Sequence, residues 1–148
     1  MNLKNIKLNK KFLKKNKVGL VIIFGSRVSG RAHTGSDIDI GIVFEDEKIK
    51  VKNPVEVYGD LYGVFSKAFK AANPDIVYLR EAPLSLQFKA IDEGKVIYET
   101  SAKFFADYKE EVMIKYFDFK FTENYFNSVF LNQEKKYDAI RAVGYKQN

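Results

Sequence analysis

The chain has 148 residues, 46% hydrophobic and 30% charged, with a formal net charge of +6. That is the composition of one soluble domain with its own core, not of a disordered chain. No apolar run approaches the roughly 18 residues of a membrane span, and no apolar stretch with a small-residue cleavage site follows the basic start. We therefore expect no membrane association, no secretory leader and a cytoplasmic location.

With no cysteine and one histidine, disulfides, a thiol nucleophile, a thiolate metal site and a multi-histidine site are all excluded. The charge is uneven: residues 1–36 hold seven Lys, two Arg and no acidic residue, so +9, and the remainder carries −3. Such a segment either attracts an anion, whether nucleotide, nucleic acid or acidic partner, or is a solvated helix face.

In chain order, Leu8, Phe12 and Leu13 among lysines predict a short amphipathic helix over 5–16. VGLVIIF, 18–24, reads as a central strand. GSRVSGRA reads as a turn opening a short helix, and DIDIGIVF, 37–44, as an alternating strand. On that strand Ile38, Ile40, Ile42 and Phe44 share one face, and Asp37, Asp39, Gly41 and Val43 the other.

EDEKIKVKN reads as a charged loop. Asn53 and Pro54 then look like the cap and first position of a helix with a stripe of Leu61, Val64, Phe65, Ala68 and Ala72. DIVYL, 75–79, predicts a third strand, Pro83–Glu93 a helix that Gly94 ends, and KVIYE a fourth strand. From Ser101 the pattern is helical and rich in Phe and Tyr. The expected fold is α/β (α+β): a small mixed sheet of about four strands with helices packed on one side, and a C-terminal helical segment. We expect a single domain over 1–148, with 17–100 as its catalytic core and 101–148 as the helical segment.

Asp37 and Asp39 are unusual inside a strand. Two residues apart on one face, their Cα atoms are roughly 6.6 Å apart, and two carboxylates at about 4 Å repel by around 4 kcal/mol at an effective dielectric near 20. A divalent cation reverses that sign, and an all-carboxylate site favours Mg²⁺ or Mn²⁺ over zinc. Two such groups can also bracket a pair of ions about 3.5–4 Å apart.

Asp75, first in the next predicted strand, is either a third metal ligand or a turn residue after Asn73-Pro74. Gly25 and Ser26, at a strand-to-helix turn, suit close approach of phosphate oxygens to backbone N–H groups. Arg27 and Arg31 are one turn apart and carry planar forks suited to the same phosphates; Ser36 is placed with them as a nucleotide-binding candidate.

Gly25-Ser26, ten intervening residues and Asp37-Ile38-Asp39 resemble the G-S-x10-D-x-D signature of the DNA polymerase β-type nucleotidyltransferase superfamily. FGSRVSGRAHTGSDIDIGIVF and PDIVYLREAPLSLQFKAIDEGKVIYE are similar, more narrowly, to minimal nucleotidyltransferases, the MNT antitoxins of HEPN toxins, over roughly residues 15–120. The resemblance implies that Asp37, Asp39 and Asp75 are catalytic and hold two Mg²⁺ ions on ATP, with Ser26 on its phosphates. It also implies transfer of AMP to a tyrosine of a cognate HEPN toxin, with which the chain would form a hetero-oligomer.

Other readings compete. The acceptor is a small molecule such as an aminoglycoside, although 148 residues leave little room for an acceptor-binding domain. Alternatively the chain is a non-catalytic antitoxin that neutralises by binding. Direct nucleic-acid binding, suggested only by the basic start, is not expected.

His33 reads as a solvent-facing loop residue, and Gln87 and Lys89 as surface positions of their helix. Phe117, Phe121, Tyr125, Phe126 and Phe130 recur at near-helical spacing and are expected in a core, with a partner-binding face as the alternative.

Overall fold

In the computed structural model, residues 3, 6–33, 35–70 and 72–144 are described. The elements are α1 (Lys10–Lys15), β1 (Val18–Phe24), β2 (Ile38–Phe44), α2 (Lys48–Lys52), α3 (Pro54–Ala68), β3 (Pro74–Tyr78), a 3-10 turn (Leu79–Glu81), α4 (Leu84–Glu93), β4 (Lys95–Glu99) and α5 (Ala102–Gly144). The chain forms two compact units, Met1–Val112 and Met113–Asn148.

In the first unit the sheet runs β3-β2-β1-β4. β1 pairs antiparallel with both β2 and β4, and β2 pairs parallel with β3, so the sheet is mixed, as the sequence predicts. All seven residues of β1 are buried. Val21 and Ile23 join Ile38, Ile40, Ile42 and Phe44 of β2 in a core closed by Leu13 of α1 and by Val57, Leu61 and Phe65 of α3.

The opposite face is also covered, which corrects the expectation of helices on one side. Leu20, Ile22, Phe24 and Val43 are buried outside that cluster, along with Ala90 and Ile91 of α4 and Tyr108 and Val112 of α5. The reason lies in β1 itself: a strand apolar at every position needs cover on both faces.

Several boundaries shift. α1 starts at Lys10 because Asn9 caps it, its side chain accepting from the Phe12 N–H at 3.1 Å; Leu8 therefore precedes the helix, and Asn5 lies outside the described residues. The predicted loop after β2 contains α2, anchored by Lys50, which is only 9% exposed and ion-paired to Glu47 and Glu81.

GSRVSGRA forms hydrogen-bonded turns, Val28 and Ser29 N–H to the Gly25 carbonyl and Arg31 N–H to that of Ser26, but no helix. Gly30, at φ +75°, turns the chain away within one helical turn. Asn53 and Pro54 do start α3, though the Asn53 side chain makes no capping hydrogen bond. Val57 joins the stripe, and Ala72 lies beyond the helix.

In the second unit, the α5 residues from Met113 to Gly144 leave Phe117, Phe121, Tyr125, Phe126 and Phe130 between 54% and 77% exposed. The expectation that these aromatics form a core is overturned. Phe117 meets the ring of Tyr116 and Phe126 that of Phe130, contacts that lie within the same helix.

Candidate active site

Three chain segments meet where β1 ends and β2 and β3 begin. In the ladders, Asp39 stands opposite Phe24 of β1 on one side and Asp75 of β3 on the other. Neighbouring strands are about 4.8 Å apart, and paired residues project to one face. The parallel register therefore puts the Asp75 carboxylate beside that of Asp39, which the sequence left open. The register is pinned at its start by the Ile38 N–H donating to the Asn73 carbonyl at 2.9 Å. Asp37 precedes β2 by one residue. Asp37 and Asp75 are exposed and Asp39 is half-buried.

The crowding has an electrostatic consequence. The Asp39 carboxyl is held above its usual range, first by desolvation, then by the charges of Asp75 and Asp37, with Lys89 acting in the opposite direction. The site thus carries an excess of negative charge that a cation would relieve. Among the described residues, no three His, Cys, Asp or Glu already stand in a geometry that would hold a metal ion. The donor set itself, carboxylate oxygens only, is of the kind that suits Mg²⁺.

Gly25 forms the wall of this cluster. Its φ is +79°, and a Cβ there would lie 1.9 Å from Asp39 Oδ2. Only a residue without a side chain lets the β1 terminus pass the carboxylate so closely. Ser26 follows, half-buried, and Arg31 is exposed. Arg27 is turned inward: its Nε donates to the Ser36 carbonyl at 2.8 Å and its Nη2 donates to the same oxygen. Ser36 Oγ accepts from the His33 N–H at 2.9 Å, and the Ser36 N–H donates to the His33 carbonyl at 3.0 Å. His33 is exposed, as expected of a loop residue.

On α4 the two surface candidates differ. Gln87 braces the unit, accepting from Tyr108 Oη at 3.1 Å and donating to the Ala82 carbonyl at 2.8 Å. Lys89 is exposed, yet its charge acts on Asp39. Neither the inward turn of Arg27 nor the reach of Lys89 has a local sequence signal. Each depends on where a distant backbone segment lies.

Residues 7–103 match the family described as polymerase beta, nucleotidyltransferase. The chain belongs to this nucleotidyltransferase family. It is 26% identical over 100 residues to the protein adenylyltransferase MntA of Aphanizomenon flos-aquae (strain 2012/KM1/D3), a match covering 64% of this chain and 66% of that protein, just under two thirds of its length.

The fold is similar to a chain of a crystal structure of a toxin–antitoxin with AMP-PNP, with TM-score 0.57 and 24% identity over 81% of this chain and 90% of that one. It is also similar to a chain in a structure of tri-AMPylated Shewanella oneidensis HEPN toxin in complex with MNT antitoxin, with TM-score 0.51 and 21% identity over 75% and 82% of the two chains. No helix among the described residues is long and apolar enough to cross a membrane.

Proposed function

We infer that this chain is a Mg²⁺-dependent adenylyltransferase that transfers AMP from ATP to a tyrosine of a HEPN-type toxin and so acts as its antitoxin. The observation that carries the reading is the juxtaposition of Asp39 with Asp75 across the parallel β2–β3 pair, against a glycine that leaves no room for a side chain. The similarity to a protein adenylyltransferase and to toxin–antitoxin structures supports the nucleotide and the acceptor.

Asp37, Asp39 and Asp75 would hold the metal, in the two-ion arrangement that paired carboxylates allow. When bound, Mg²⁺ supplies charge neutralisation on the triphosphate and lowers the pKa of an oxygen it ligates. The protein's own part is positioning. Gly25 and Ser26 offer the turn beside which the phosphates lie, Arg31 supplies an exposed cation, and Asp75 accepts the proton of the incoming hydroxyl. The hydroxyl oxygen bonds to the α-phosphorus, the bond from that phosphorus to the bridging oxygen breaks, and pyrophosphate leaves with the electron pair. The single domain over 1–148 would then divide its work. The sheet unit does the chemistry, and the exposed aromatics of residues 113–144 provide apolar surface of the kind that partners cover.

The test incubates the purified protein with Mg²⁺, α-labelled ATP and a HEPN-type toxin as acceptor. Label on that protein, absent with the Asp37→Ala/Asp39→Ala variant, is the expected result. Label on a small organic product would replace the acceptor. Neutralisation of the toxin by the double variant in cells would replace catalysis by binding.

A further inference from the structure

We propose that Arg27 is a positioning residue whose guanidinium clasps the Ser36 carbonyl and thereby fixes Asp37 for the reaction. The proposal rests on the nucleotidyl-transfer reading above and alters one part of it, since Arg27 then serves the metal side of the site and not primarily the phosphates.

The geometry is specific. The last β1–β2 ladder pair is Phe24 with Asp39, so Asp37 lies beyond the sheet and its backbone is held by no strand partner in that pair. The Ser36 carbonyl belongs to the peptide unit that ends at the Asp37 Cα. A peptide unit is planar and rigid, so gripping its oxygen fixes the amide and Cα of the next residue. Arg27 grips that oxygen with two of its N–H groups, from a half-buried position nine residues upstream.

The remaining hydrogen-bonding groups of Ser36 are committed as well. Its N–H and hydroxyl both engage the His33 backbone. The residue ahead of Asp37 is therefore held at its N–H, its side chain and its carbonyl, and only the carbonyl contact comes from outside its own turn. On the other side the Ile38 N–H is tied to Asn73. Asp37 sits between two anchors, and Arg27 is the one that closes the Gly25–Asp37 loop. Arginine suits this role because its fork is rigid and always charged.

Three variants separate a clasp from a phosphate ligand. Arg27→Ala removes both charge and donor. Arg27→Gln removes the charge and keeps an N–H donor. Arg27→Lys keeps the charge and loses the fork. The first readout is limited trypsin cleavage after Arg31 in protein free of metal and nucleotide, with circular dichroism confirming the fold. We expect cleavage several-fold faster in Arg27→Ala than in wild type, and restored toward wild type in Arg27→Gln.

The second readout is the Mg²⁺ concentration giving half-maximal transfer. We expect it to rise roughly 10- to 100-fold in Arg27→Ala, as for loss of a group that orients a metal ligand, while KM for ATP at saturating Mg²⁺ changes little. The proposal is overturned if trypsin cuts Arg27→Ala at the wild-type rate. It is also overturned if Arg27→Lys behaves as wild type while Arg27→Gln and Arg27→Ala share a raised KM for ATP, the signature of a phosphate-binding charge. Wild-type protein that transfers no nucleotide would refute the functional reading alone, and the proteolysis result would still decide whether the clasp exists.

Discussion

A Cβ atom placed on Gly25 would lie 1.9 Å from Asp39 Oδ2. The end of β1 and the acidic strand are thus fitted to each other at atomic contact, and the fit also requires a left-handed backbone at Gly25. Gly25→Ala meets both obstacles. The φ of +79° costs an L-residue about 1–2 kcal/mol, and the methyl must displace the Asp39 carboxylate. We expect a melting temperature lower by several degrees and nucleotide transfer reduced by about 100-fold or more, the scale set by misplacing a reacting group by 1 Å. Thermal unfolding and label transfer check the two effects separately. Wild-type transfer by a folded Gly25→Ala protein would mean that Asp39 does not need its present position.

Asp39→Asn addresses the repulsion. The Asp39 carboxyl is held above its usual range by burial and by Asp75 and Asp37, so the folded state favours its protonated form. Stability from this group is full below the unfolded value near 3.8 and is lost as pH rises through the higher folded-state value. Asparagine removes that loss. In metal-free buffer, Asp39→Asn is expected to melt higher than wild type at pH 7, with the difference shrinking toward pH 4, and to transfer no nucleotide. Added Mg²⁺ should raise the wild-type melting temperature more than that of the variant, since only wild type keeps the full ligand set. Equal Mg²⁺ shifts in the two proteins would remove Asp39 from the metal site.

Lys50 tests the opposite end of the β2–β3 pair. Its ammonium lies 5.3 Å from the centre of the Tyr78 ring, at the far end of β3 from Asp75, and pairs with Glu47 and with Glu81 at 2.5 Å. Removing one partner of a buried ion pair leaves the other charges uncompensated. Because both glutamates are partly exposed, we discount the full buried-pair penalty and expect Lys50→Met to destabilise by roughly 1–2 kcal/mol. Transfer per folded molecule should be unchanged, since the change is about 10 Å along the strand from Asp75. Chemical denaturation and transfer kinetics measure these, and a selective loss of transfer would show that the two ends are coupled.

Phe121 and Phe126 are 77% and 57% exposed. Changing both to Ser should leave the stability of the isolated protein within about 0.5 kcal/mol, as for surface substitutions generally. If this surface serves the proposed toxin, the double variant should retain less of it in co-purification while still binding ATP. Undiminished retention would place the interface elsewhere.

The sequence by itself determined the strands and marked the acidic pair as a place where negative charge gathers. A seven-residue apolar run and a strictly alternating strand leave little freedom, because period and burial are local properties of the chain. Asp39 within such a strand and Asp37 just ahead of it likewise signal a counter-charge wherever the strand lies, although the sequence pattern counts Asp37 as part of the strand. The ten-residue spacing from Gly25-Ser26 to Asp37 was legible for the same reason.

Only the tertiary structure decided the rest. Asp75 became a neighbour of Asp39 through the parallel register, which depends on a crossover of some thirty residues containing α2 and α3. Arg27 found a backbone carbonyl as its partner, and a carbonyl leaves no mark on the sequence because every residue has one. The aromatics of α5 looked like a core because their spacing is helical. Periodicity shows which residues share a helix face, but whether anything packs on that face depends on what the rest of the fold brings there.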